Sequence, residues 1–382
     1  MAGESRPPPA GSASDPALVV IRPPQRGLPK PSRPVLRDLP SEELQRFAQA
    51  TLGGPRYRAT QLFEWLHKHR AERFGAMSSL PAALRERLEA EADVGVLTVE
   101  LVQRAADGTR KLRLATPDGA VLESVLIPNE GRGLTQCISS MVGCSLSCRF
   151  CATASLGFAR NLATWEIVDQ VYRAQALLAD ERDEAGYPPR ITNVVFMGMG
   201  EPLHNFVQVR RAIAILTDPA GAAIAGRRIT VSTAGMVPAI ERFAREGLAE
   251  EVGLAVSLNA TTDAVRDQVM PINTRWNIET LLATVRALPT PKRRRVTFEY
   301  VLLAGVNDSD ADARRLVSLI EGLPAIVNVI PFNPHDDAPY RRPSKARVDA
   351  FVRVARASGL QVQVRTPRGD DIDAACGQLA RR

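Results

Sequence analysis

The sequence predicts an α/β fold: a partial barrel of six βα units, preceded by a small helical domain and a short β-extension. Three observations predict it. After Gly133, short β-branched runs alternate with amphipathic stretches, the pattern of a parallel sheet wrapped by helices. Between Leu39 and Ala92 the apolar residues fall at helical spacing, with Leu62, Phe63 and Leu66 on one stripe and Leu80, Leu84 and Leu88 on another. Between them, the runs Leu97 to Gln103, Arg110 to Ala115 and Val121 to Ile127 alternate as strands do, and Asp107-Gly108 and Asp118-Gly119 supply turns.

The barrel strands are expected near Thr135–Ser139, Ile191–Phe196, Arg228–Ser232, Leu254–Leu258, Val296–Val301 and Ile326–Ile330. The helices between and after them are expected at Thr164–Ala179, Phe206–Thr217, Val237–Glu246, Ile278–Leu288, Ala311–Glu321 and Ser344–Ser358. A closed eight-stranded barrel needs two more units than the sequence offers. The expected domains are a disordered Pro/Arg-rich tail over 1–37, a helical accessory domain over 38–95, a β-extension over 96–130 and a catalytic domain over 131–382.

Composition narrows the class. No apolar run approaches the roughly 18 residues that span a bilayer, and the N-terminus lacks the apolar core of a secretory signal, so a cytoplasmic protein without a membrane partner is expected. A formal charge of +7 favours a polyanionic partner, because Lys and Arg that neutralise phosphates release condensed counterions. A run such as Lys292-Arg293-Arg294-Arg295 can equally be a solvated face.

Cysteine usage is more specific. Of five cysteines, Cys137, Cys144, Cys148 and Cys151 crowd one segment and Cys376 stands alone near the C-terminus, which is no disulfide framework. Gly143 to Cys151 reads GCSLSCRFC, a C-x3-C-x2-C spacing that follows the first barrel strand. Three thiolates from one loop can ligate three irons of a cubane and leave the fourth iron open. In radical S-adenosylmethionine (SAM) enzymes that open iron chelates SAM, whose cleavage yields a 5′-deoxyadenosyl radical. A structural zinc site would need a fourth Cys or His in paired spacing, and Cys137 is the only nearby cysteine.

Several stretches in order resemble the RlmN/Cfr family of radical SAM RNA methyltransferases, RlmN most closely: Tyr57–Lys68, the cluster loop, GMGEP at Gly198–Pro202, Ser257–Asn259, MPIN at Met270–Asn273, EYVLLAGVND at Glu299–Asp308, IPFNP at Ile330–Pro334 and GDDIDAACGQL at Gly369–Leu379. The resemblance implies a partial (β/α)6 radical SAM barrel. It also implies a 4Fe-4S cluster on Cys144, Cys148 and Cys151, and SAM contacts by Gly200, Glu201, Ser232, Ser257, Leu258, Asn259 and Asn333. These residues fall at or after the ends of expected strands, where barrel sites are assembled. Taken singly, Glu201 could be a helix-terminal acid and Ser232 a turn residue.

The implied reaction methylates carbon 2 of an adenosine in 23S rRNA and in a subset of tRNAs; the Cfr-like alternative is carbon 8, and a non-RNA substrate is the other alternative. An aromatic adenine carbon is not nucleophilic, so direct polar transfer from SAM is closed. The resemblance implies that Cys376 takes a methyl group from one SAM as a thiolate, favoured by nearby positive charge or by the site. A second SAM supplies the radical, Glu123 removes the ring proton, and Cys137 attacks the Cys376 sulfur to release product as a transient disulfide forms. An external electron donor and a thiol reductant are implied, with a monomeric enzyme. Without the motif, Cys376 and Cys137 would read as small buried hydrophobes and Glu123 as a strand-edge acid. Arg56, Arg58, Lys68 and Arg70 around Phe63 and Trp65 form a candidate RNA surface, unless those aromatics face their own core.

Overall fold

The computed structural model describes residues 27–28, 31–53, 55–129, 131, 133–179, 181–182, 189–289, 291, 294–336 and 338–379. Residues 1–26 of the expected tail lie outside the described residues, as do Lys292 and Arg293 of the basic run.

The helical region contains α1 (Ser41–Phe47), α2 (Tyr57–His67) and α3 (Ala82–Glu91). Leu62, Phe63 and Leu66 of α2 join Leu80 and Leu88 in a separate apolar core, as their spacing requires. The end of the segment expected as tail belongs to this folded body. Leu36 and Arg37 are buried, and Arg33 pairs with Asp93 at 2.5 Å. Arg37 explains the departure: its guanidinium donates to Asp169 at 2.5 Å and to the carbonyls of Gly95 and Ala71 at 2.8 and 2.9 Å. A fully buried cation must be paired and hydrogen-bonded, and these partners fasten the helical region to the barrel.

One ten-stranded sheet follows. Its antiparallel edge is β1 (Thr98–Arg104), β2 (Arg110–Ala115) and β3 (Val121–Pro128), which pairs with β4 (Leu134–Cys137). Next in the chain come a small hairpin of β5 (Met141–Gly143) and β6 (Phe158–Asn161), the short α4 (Ala152–Ser155) and the long α5 (Thr164–Leu177). The alternation continues with β7 (Ile191–Phe196), α6 (Phe206–Thr217), β8 (Ile229–Thr233), α7 (Val237–Arg245), α8 (Leu248–Glu251), β9 (Gly253–Ser257), α9 (Asp263–Val269) and α10 (Ile278–Arg286). It ends with β10 (Val296–Leu302), α11 (Asp310–Ile320), β11 (Ala325–Pro331), α12 (Lys345–Ala357) and β12 (Val362–Val364).

From β4 through β7 to β12 all neighbours in the sheet are parallel. The β-extension is therefore the antiparallel edge of the barrel sheet, held by the ladder between β3 and β4. The sequence pattern did not show β5, β6 or β12. The first two are short strands beside the cysteine loop, and β12 is a three-residue edge strand with only Val362 buried. Short edge strands carry too little alternation to read.

Burial also gives the β5–β6 hairpin its anchor. Arg160 of β6 is 1% exposed and makes two 2.8 Å bonds to Glu166, which is wholly buried at the start of α5, and a 2.7 Å bond to Asp118 in the β2–β3 turn. Arg160→Met is expected to lower unfolding free energy by about 3–5 kcal/mol, because Glu166 would remain as an uncompensated buried charge. Denaturant titration measures this, and a loss under about 1 kcal/mol would reduce the network to a surface-like pair.

Candidate active site

The three motif cysteines leave the sheet on a loop that only glycine can start. Gly143 has φ +75°, and a Cβ there would overlap the Gly157 carbonyl, while the Cys144 amide donates to that same carbonyl at 2.8 Å. Cys144, Cys148 and Cys151 then line one cavity of about 160 Å³. The same wall carries Gly200, Glu201, Ser232, Ser257, Asn259, Asn333 and Cys376.

Each strand end contributes for a local reason. Gly200 follows β7 with φ +101°, and a Cβ there would stand 2.6 Å from the Met141 side chain, so the backbone can pass only as glycine. Glu201 is 3% exposed and accepts from the Ala234 amide at 2.7 Å and the Leu203 amide at 3.2 Å. Burial nonetheless pushes its carboxyl up to about 7, against those amides and Thr233. Asn259 has φ +55°; its side-chain Oδ1 accepts from the Val301 amide at 2.7 Å and its side-chain Nδ2 donates to Met270 Sδ at 3.1 Å. The Asn259 side chain thus ties its loop to β10 and to the MPIN stretch. Leu258 departs from expectation: it is fully buried, its amide donates to the Glu299 carbonyl at 3.0 Å, and it is not part of the cavity wall.

The donor set fits an iron–sulfur cubane. Cys148 is pushed well up by burial first and then by Cys144, Cys151 and Glu201, and three thiols on one wall are the soft donors that iron–sulfur clusters take. Neither a histidine nor Cys137 is among the residues lining this cavity. That arrangement suits three corners of a cluster rather than one tetrahedral zinc.

A second cavity of about 470 Å³ opens beside the first and is lined by Cys137 and Cys376. Cys376, Asn333 and Arg365 line both cavities, so the C-terminal thiol stands at their junction. Its segment is tied on each side. The Asn333 amide donates to the Cys376 carbonyl at 3.1 Å, and the Gly377 carbonyl accepts from Ala152, the residue after the last motif cysteine, at 2.7 Å. Burial, with Cys376 adding to it, pushes the Cys137 thiol up to about 12, while Arg365 opposes. The Arg365 guanidinium is itself held more basic chiefly by Cys376. None of the five cysteines forms a disulfide in this structure, so the pairing of Cys137 with Cys376 is not present here.

Comparison with known proteins decides the family. Residues 138–317 match the radical SAM superfamily, and residues 35–94 match the ribosomal RNA large subunit methyltransferase N-terminal domain. The dual-specificity RNA methyltransferase RlmN of Pelobacter propionicus is 46% identical over 344 residues, 90% of this chain and 95% of its own. A second such enzyme, RlmN 2 of Myxococcus xanthus, is 43% identical over 93% of each chain. This chain belongs to the RlmN family of radical SAM RNA methyltransferases. The crystal structure of a radical SAM methyltransferase from Sphaerobacter thermophilus superposes with a TM-score of 0.84 at 44% identity, over 91% of this chain and 99% of that one. The family carries the 4Fe-4S cluster and SAM of its superfamily, and no described helix is long and apolar enough to cross a membrane.

Within this RlmN-family fold the remaining expected residues are less exposed to the cavities. Glu123 on β3 is 4% exposed, lies in neither cavity wall and pairs with Lys111 at 3.5 Å. Phe63 is 1% exposed in the helical core, so it cannot present a stacking face to RNA; Trp65 is half-buried and donates to Ser79 at 2.7 Å. Arg56 and Lys68 are exposed, Arg58 donates to Gln61 at 2.9 Å, and Arg70 to Gln175 at 3.0 Å.

Sequence reasoning missed Arg365 and Arg266. Arg266 is fully buried and donates to the carbonyls of Ala234, Ser257 and Leu258 at 2.8 to 3.0 Å and to Asn273 at 3.0 Å. It therefore clamps the loops after β8 and β9 and gives the MPIN stretch a structural purpose. The only sequence signal was the Asn of that stretch, since a single Arg in a helix carries none.

Proposed function

We propose that the chain methylates carbon 2 of a specific adenosine in 23S rRNA and in a subset of tRNAs through an S-methylcysteine on Cys376. The observation that carries this reading is that Cys376 lines both the cavity of the motif cysteines and the cavity of Cys137, so one thiol faces a methyl source on one side and a second thiol on the other. The names of the relatives supply the RNA class, dual-specificity RNA methyltransferases.

Cys144, Cys148 and Cys151 would hold the cluster, and Gly200, Glu201, Ser232, Ser257, Asn259 and Asn333 surround the space for SAM. When bound, cluster and SAM supply a methyl group and a hydrogen-abstracting radical, two SAM per turnover. The chain's own residues do the rest. Cys376 accepts the methyl group on sulfur, and Arg365 lines the same two cavities as that thiol. It then carries that carbon to the base, and Glu123 removes the ring proton. The Cys137 thiol gives up its proton and attacks the Cys376 sulfur; the sulfur–carbon pair leaves on the carbon, which takes a proton to become the methyl group on the base, and the disulfide left behind is reduced by an external thiol.

The test is mass spectrometry of adenosines in rRNA and tRNA from cells lacking the protein. Loss of 2-methyladenosine from both pools is expected and is restored by the wild-type gene. Unchanged 2-methyladenosine would reject the assignment.

A further inference from the structure

The hairpin at the far edge of the sheet reaches the methyl-carrier segment. The Gly369 amide donates to Asp107 Oδ2 at 3.1 Å and the Ala106 amide donates to Asp371 Oδ2 at 3.0 Å, so turn and segment cap each other. Gly369 has φ +64°, and a Cβ there would stand 2.9 Å from the Thr109 side chain. The β1–β2 turn is thus a seat into which the residues before Cys376 fit closely.

Lys111, at the start of β2, connects that seat to the chemistry. Its side chain is 3% exposed, unusual for a lysine, and its Nζ lies 3.5 Å from Glu123 Oε1. The same Nζ donates to the Asp373 carbonyl at 3.3 Å, three residues before Cys376, where the backbone turns through φ +51°. Strand register places these groups together. Lys111 is opposite Val125 and Arg113 opposite Glu123, so Lys111 and Glu123 are diagonal neighbours on one face, and Val125 is in turn opposite Cys137. One buried ammonium therefore touches both the carboxylate assigned as base and the segment that bears the carrier thiol.

We propose that Lys111 is a positioning residue that fixes Glu123 relative to the Cys376 segment, so that carrier and base meet the same adenine in register. The proposal rests on the reading of Cys376 as carrier and Glu123 as base. A lysine that only neutralised Glu123 would have no need of the Asp373 carbonyl. A lysine that only seated the segment would not need the carboxylate.

The experiment uses the iron-loaded full chain with a tRNA substrate and reads amide hydrogen exchange over residues 369–376 together with turnover. Lys111→Met is expected to exchange roughly tenfold faster there and to lose roughly tenfold in kcat, with the KM for RNA within about twofold of wild type. Lys111→Arg keeps the charge and should recover both to within about threefold. Wild-type exchange in K111M overturns the proposal, even where kcat falls, because Lys111 would then serve Glu123 alone. Faster exchange with wild-type kcat overturns it as well. Should K111M not fold, Lys111→Gln, which keeps a donor without the charge, is read in the same way. Glu123→Gln separates this idea from the one beneath it: wild-type turnover in E123Q rejects Glu123 as base, whereas exchange in K111M decides the seat.

Discussion

A Cys137→Ala protein is expected to accumulate a covalent adduct between protein and RNA, seen as a shifted band under denaturing conditions and mapped by digestion to Cys376. The two thiols have successive jobs: Cys376 carries the carbon and Cys137 frees it. Removing Cys137 leaves methyl transfer and addition to the base intact but takes away the thiol that opens the adduct. The structure brings the pair together, since both thiols line one cavity and Cys376 adds to the upward push that burial gives the Cys137 thiol. Cys376→Ala should form no adduct. Product release should fall by roughly a hundredfold or more in either variant, because each lacks an obligatory covalent step. If both thiols only filled the core, each substitution would cost stability modestly and neither would trap RNA. An adduct that maps elsewhere, or normal turnover by Cys137→Ala, contradicts the assignment.

The second large effect concerns the loop at 143–151. Replacing Cys144, Cys148 or Cys151 by Ala should remove iron, brown colour and SAM cleavage together, since a cubane held by two protein thiols is poorly retained. Anaerobically reconstituted wild type should bind about four irons per chain, the content of one such cluster. Binding of zinc in place of iron after the same treatment would sink the radical reading. Thermal unfolding of each variant, measured alongside, separates cluster loss from collapse of the loop, whose Cys144 and Cys151 amides are hydrogen-bonded independently of their thiols.

Much of this was legible in the chain. Each expected barrel strand lies within one or two residues of its observed position, because β-branched runs bounded by turns are strong signals when a strand is buried on both faces. The cysteine loop was legible because ligand spacing is local in sequence. Long-range partners were not. Arg365, just past the edge strand β12, faces Cys376 and Cys137, and Lys111 reaches across the sheet to Glu123 and then to Asp373. Neither residue sits in a recognisable pattern, since their meaning comes from strand order and register, which a linear sequence does not display. Phe63 and Leu258 show the reverse case, where position in sequence leaves two readings open. Both lie next to residues with plausible functional roles, yet burial claims them for the core.

The most direct measurement incubates iron-loaded protein with a reductant, deuterium-labelled SAM and either a 23S rRNA fragment or tRNA, then identifies the labelled nucleoside by mass spectrometry against synthetic standards. The account predicts labelled 2-methyladenosine from both RNAs, dependent on Cys376. Labelled 8-methyladenosine, or label that enters RNA without Cys376, would contradict it.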